Sequence, residues 1–169
     1  GETLSVLARA IANRDVRGPV LATSAGWTSD RDALSQAADT LVDMEGVRTA
    51  LVLGLIEETD TVVASARTRG SGVDIGEALR VAYDQIGSAG GHTDMAGAQI
   101  PLGILGSIED EAGSLEEVIG DVLIQRFFEV IGDEGGFFWR GAGGSLSTAH
   151  SDARAQDEEN DFSPLDPSA

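Results

Sequence analysis

The sequence predicts an α/β domain: a mixed β-sheet of about five strands with helices packed on it. Three observations carry this expectation. Segments with apolar residues at helical spacing alternate with short apolar runs of strand type. Two of those runs, Val47 to Glu57 and Thr61 to Thr68, are separated only by Glu58-Thr59-Asp60, a hairpin-length connection. Helical segments stand on both sides of that hairpin in the chain, which places helices against a sheet.

The elements follow in order. Leu4, Leu7, Ala8 and Ile11 fall on one face of a first helix. Gly18-Pro19 then precedes Val20 to Ser24, a short buried-strand pattern. Thr28-Ser29-Asp30 marks a helix start, with Leu34, Ala37, Ala38 and Leu41 along one face and Gly46 at its end. In the second hairpin run Val62, Ala64 and Ala66 alternate with Val63, Ser65 and Arg67, predicting one buried face and one that carries Arg67. After the loop Gly70-Ser71-Gly72, a helix runs from Asp74 to about Gln85, with Ile75, Ala78, Leu79 and Ala82 inward. Gly87 to His92 reads as a glycine-rich turn before a last strand around Ala98 to Ile104. A further helix runs from Leu115 to Ile131. Beyond Gly141 the chain is small, polar and acidic, and cannot bury enough to offset its ordering entropy; Phe137-Phe138-Trp139 is the one patch able to tether its start. This gives a linker helix and first strand over 1–27, a domain with its C-terminal helix over 28–134, and an acidic, disordered tail over 135–169.

Composition narrows the function classes. The 169 residues make one domain, and no apolar run approaches the roughly 18–20 residues of a membrane span. Gly1-Glu2-Thr3 opens no secretory signal, and the absence of cysteine excludes disulfides and thiolate metal sites. A cytoplasmic location is the resulting expectation. Asp and Glu total 29 against 11 basic residues, all of them arginine, for a net charge of −18. Salt screens such self-repulsion, so adaptation to a salt-rich, halophilic cytoplasm is the simplest reading; the arginine codons of a GC-rich genome are the plainer alternative. An anion site in such a chain depends on a few placed arginines and backbone N–H groups rather than on a basic field.

Gly87, Gly90 and Gly91 leading into His92 form the densest unusual feature. Glycines permit positive φ and close ligand approach, and successive N–H groups can form an anion nest. A helix cap followed by a structural turn explains the same residues, and spacing alone leaves the two readings level for Gly90-Gly91. His92 has an imidazole that can donate to a phosphate; His150 lies in the tail and has no assigned role. Arg67 and Arg69 stand two residues apart at a strand end. Their guanidinium forks suit phosphate, with pairing to surface carboxylates as the ordinary alternative. Nothing supplies the converging ligands of a catalytic metal, a P-loop lysine or a Ser-His-Asp set.

The stretch Gly87-Ser88-Ala89-Gly90-Gly91-His92-Thr93-Asp94-Met95-Ala96-Gly97 resembles the Gly-Gly-His…Ala-Gly signature of the DHHA1 domain, the C-terminal half of DHH-family phosphoesterases. Ser65-Ala66-Arg67-Thr68-Arg69 is similar to the family's strand ending in Arg-Ser, and the likeness spans about residues 28 to 105. Ala89 stands where many members have another glycine, and Thr68 replaces the usual serine. The resemblance implies a substrate-binding domain, with Gly90, Gly91 and His92 contacting a terminal nucleotide or phosphate and Arg67 and Arg69 holding a phosphate. Substrates implied are short oligonucleotides, nucleotides or polyphosphate; a non-catalytic nucleic-acid-binding module is the alternative. It further implies a DHH domain upstream in the same polypeptide that carries Mn2+ or Mg2+. This chain has no Asp-His-His motif, so it reads as a fragment that does not itself hydrolyse. Whether the helix at Leu115–Ile131 packs internally or makes a homodimer stays open at this point.

Overall fold

The computed structural model describes residues 1–108 and 112–132. The tail, Phe137-Phe138-Trp139 and His150 lie outside them. Six strands, one more than the sequence suggests, form a mixed sheet in the order β1-β2-β3-β4-β6-β5. Chain order is α1 (Glu2–Ala12), β1 (Asp15–Arg17), β2 (Val20–Thr28), α2 (Arg31–Val42), β3 (Thr49–Ile56), β4 (Thr61–Thr68), α3 (Ile75–Tyr83), β5 (Ser88–Gly91), β6 (Met95–Pro101) and α4 (Ser114–Ile131). Strands β2 and β3 are parallel across the α2 crossover, and the other pairings are antiparallel. The strands not named from the sequence are β1, too short at three residues to show a period, and β5, which lies in the segment read as a turn.

Two cores sit on opposite faces of this sheet. On one face Val6 and Ala10 of α1 and Leu34, Ala38 and Leu41 of α2 pack with Leu21, Ala50, Val52 and Val63. On the other, α3 and α4 bring Leu79, Tyr83, Phe127 and Ile131 against Leu51, Leu53, Ala64 and Ala98. Helix α4 therefore packs internally, and the Tyr83 hydroxyl, 2.7 Å from the Leu123 carbonyl to which it donates, ties α3 to it. The buried Tyr83 phenol is pushed above its ordinary range by desolvation.

The strand alternation read at β4 needs correction. All eight of its residues are buried, because α2 covers one face and the α3–α4 layer the other. A central strand of a three-layer domain carries little exposed-face signal. Both helices that frame the site start on aspartate caps: Asp30 accepts from Ala33 N and Asp74 from Glu77 N, each at 3.1 Å.

Helix α1 is pinned at its first turn. The Glu2 carboxylate accepts from Thr28 Oγ1 at 2.8 Å, Ser29 N at 2.9 Å and Ser29 Oγ at 3.0 Å, and these bonds, the Ser29 N–H first, hold its pKa below the ordinary carboxylate value. A folded-state pKa lowered in this way gives stabilisation that is complete above the unfolded-state pKa and lost as pH falls through the folded one. Amide exchange in α1 is therefore expected to speed up, relative to the sheet, on acidification below the usual carboxylate range. Glu2→Gln should show the faster exchange already at neutral pH; equal behaviour of the variant and the parent would remove Glu2 as the pin.

Candidate functional site

The glycine-rich segment is a strand and not the expected turn. Ser88–Gly91 forms the edge strand β5, paired antiparallel with β6, and the reversal falls at His92-Thr93-Asp94. His92 N donates to Met95 O at 2.7 Å. Antiparallel alternation then makes Gly90 and Gly97 the next hydrogen-bonded pair and turns the Ala89 and Gly91 amides to the free edge. The amides thus alternate along an extended ladder rather than converge in a nest. Helix α3 offers no free anion site either, since Ile75 N and Gly76 N donate to the carbonyls of Thr93 and His92 at 3.0 Å. These bonds fasten the His92 turn to the start of α3.

Each glycine has its own reason. A Cβ on Gly87 would run into the Gln99 carbonyl, and one on Gly91 into the Met95 carbonyl and Ala96. Gly90 has room, its nearest neighbour being the Arg80 guanidinium, 3.4 Å from where a Cβ would stand. Register separates them too. Gly90 pairs with Gly97, which pairs with Ser65, on the face that α2 partly covers; Gly91 pairs with Ala96 on the α3 face. Gly90 is thus the one placed to meet a ligand through bare backbone, while Gly91 permits the close approach of β5 and β6.

Helix α2 and strand β4 meet in a repeating ladder. Four helical residues rise about 6 Å and two strand residues about 6.6 Å, so every fourth residue of α2 meets every second residue of β4. Asp43 pairs with Arg69 at 2.7 Å, Asp39 with Arg67 at 2.6 Å, and Ser35 Oγ lies 3.1 Å from Ser65 Oγ. Arg67 also donates through Nη1 to the Ala66 carbonyl at 2.9 Å. Its Nη2 has no hydrogen-bond partner among the described residues and is not sealed from solvent. Both predicted arginines are therefore engaged by α2 carboxylates, Arg67 in a largely buried pair and Arg69 in an exposed one.

Beyond β4 no helix among the described residues covers the α2 side of β6 and β5. A shallow cleft of about 370 Å³ opens there, with Gly90, Gly97 and Ser65 on its floor, Ser88 and Gln99 at one end, and Arg31, Asp32 and Ser35 on the α2 wall. One row further along, Arg67 pairs with Met95, and the Met95 carbonyl takes the His92 amide. Arg67, Met95 and His92 thus share one row across the sheet, His92 exposed at its outer end. Of the residues predicted from sequence, the structure brings Arg67, Gly90 and His92 to one face. It sets Arg69 past the end of β4 and turns Gly91 to the other side. Among the described residues no three His, Asp or Glu side chains converge to hold a metal.

Sequence reading misses Arg31, Ser35, Ser65 and Gln99. The signal is present: Arg31, Ser35, Asp39 and Asp43 recur every four residues, and Val63, Ser65, Arg67 and Arg69 every two. Read together, those two periods give the ladder.

A family model for the DHHA1 domain matches residues 17–123. An uncharacterized protein of Methanocaldococcus jannaschii is 38% identical over 132 residues, which cover 78% of this chain and 26% of that protein. The chain thus spans about a quarter of the length of that curated relative. Among solved structures, RecJ from Thermus thermophilus in complex with Mn2+ aligns with a TM-score of 0.48 at 15% identity, over 74% of this chain and 16% of that one. An exopolyphosphatase-related protein from Bacteroides fragilis aligns with a TM-score of 0.45 at 13% identity, over 76% of this chain and 36% of that one.

Proposed function

This chain belongs to the DHHA1 domain family, and from that premise we propose that it is the substrate-binding part of a DHH-family phosphoesterase. It seats the phosphate end of a nucleotide or short oligonucleotide on the open face of β5 and β6 beside α2. The observation that supports this best is the row Arg67–Met95–His92 lying next to the bare glycine floor. In this reading Arg67, already oriented by Asp39, offers Nη2 to a phosphate oxygen. His92 donates from the outer end of the row, and the Gly90 backbone allows the ligand to lie against the sheet. Gly91 sets the strand geometry, and Arg69 adds positive charge at the exposed end of the ladder. Metal-dependent hydrolysis belongs to a DHH domain of the same polypeptide.

Titrating the 15N-labelled chain with short 5′-phosphorylated RNA and DNA tests the site. Amide shifts are expected at Gly90, His92 and Gly97. His92→Ala should weaken binding about tenfold, the worth of one charge-assisted hydrogen bond at about 1.4 kcal/mol. Shifts confined to other surfaces, or unchanged affinity in the variant, would remove His92 and the glycine floor from the site.

A further inference from the structure

The ladder between α2 and β4 has a fourth rung that the protein leaves unfilled. Continuing from Asp43–Arg69, Asp39–Arg67 and Ser35–Ser65, the next residues in step are Arg31 and Val63, and Val63 offers no polar group. Arg31 has no ion pair or hydrogen bond among the described residues, not even with Asp32 beside it. Two facts make this a poor place for an idle arginine. It sits in the first turn of α2, where the helix dipole disfavours a cation. It also belongs to a chain with 29 carboxylates and 11 basic residues. Among the described residues, Arg17, Arg67, Arg69 and Arg80 pair with carboxylates, Arg14, Arg48 and Arg126 donate to backbone carbonyls, and Arg9 has a buried Nε without a partner. Arg31 instead lines the cleft floored by Gly90 and Gly97.

We infer that Arg31 is a second anion-binding residue of this cleft, and that it holds a phosphate further along the same oligonucleotide whose terminal phosphate lies at the Arg67–His92 row. The inference rests on the site proposed above. From Arg31 to Asp39, the partner of Arg67, is eight helical residues, or about 12 Å. That spacing along the helix suits a ligand carrying at least two phosphates, one at each arginine. The groups between favour an oligonucleotide over polyphosphate. Asp32 would repel a continuous run of phosphates, yet it and Gln99 can hydrogen-bond sugar hydroxyls or base edges. The glycine floor at Gly90 and Gly97, beside which only the tip of the exposed Arg80 stands, admits a flat base.

The test is a binding titration of the 169-residue chain and its Arg31→Gln and His92→Ala variants with a nucleoside 5′-monophosphate, a 5′-phosphorylated trinucleotide and tripolyphosphate. The parent is expected to bind the trinucleotide about tenfold more tightly than the monophosphate. Arg31→Gln should abolish that increment, leave monophosphate binding unchanged, and lower the salt slope of trinucleotide binding by about 0.7, the single-strand value for one lost phosphate contact. Absence of the increment in the parent, or its survival in Arg31→Gln, overturns the inference. A tripolyphosphate increment equal to that of the trinucleotide and equally sensitive to Arg31 overturns the oligonucleotide assignment. If His92→Ala changes the binding of no ligand, it is the underlying site that fails; a loss with His92→Ala but none with Arg31→Gln defeats this inference alone.

Discussion

Gly91→Ala is expected to destabilise the chain by about 3 kcal/mol or more, while Gly90→Ala, one residue away, should change stability by no more than about 0.5 kcal/mol. Gly91 has φ +152°, where L side chains are strained, and an added Cβ would lie 2.6 Å from the Ala96 Cα and 2.8 Å from its Cβ. Those are parts of the paired strand β6 and cannot swing away. Backbone strain and overpacking each contribute about 1–3 kcal/mol, and the two act together here. At Gly90 the nearest neighbour is the tip of Arg80, an exposed side chain that can move aside. Gly90→Ala should fold and yet bind a phosphorylated oligonucleotide more weakly, because a methyl group would stand where the proposed ligand meets the sheet. Urea midpoints and binding titrations of the two variants separate these roles. Comparable stability losses at both positions would show that the strand does not distinguish its two faces as the register requires.

That contrast also marks how far the sequence can be read. The helices α1 to α4 are legible because the helical period is strong where one face is buried, and the longer strands because they are continuous apolar runs bounded by turn residues. The glycine segment is located correctly in the chain but its conformation is not: without side chains it carries no period, so nothing in it distinguishes an extended edge strand from a turn. Arg67 and His92 are legible as candidates through their motif. Their shared row is not, because it depends on β6 lying between β4 and β5, a pairing that chain order hides. Arg31 reads as part of the charge at a helix start, and only the step-matching of α2 to β4 reveals that its rung is unfilled.

The position of α2 decides the geometry of the whole site, and it rests on Gly54. This residue lies in β3, opposite Val63, and a Cβ there would stand 2.6 Å from Leu34 Cδ1 and 3.1 Å from Leu34 Cγ. Leu34 is fully buried, so its side chain has no solvent to move into. Gly54→Val is therefore expected to lift α2 from the sheet at a cost of about 3 kcal/mol. The ladder should then fall out of step at Ser35–Ser65 and Asp39–Arg67, taking the cleft wall with it. Leu34→Ala alone leaves a cavity and should cost about 2–5 kcal/mol. Combined, the two changes exchange volume across one contact, and the double variant should be more stable than the sum of the single effects predicts by at least about 1 kcal/mol. It should also recover ligand-induced shifts at Gly97 that Gly54→Val loses. If the two effects simply add, Leu34 does not set the height of α2 above β3, and the alignment of Asp39 with Arg67 must come from the ladder's own polar contacts.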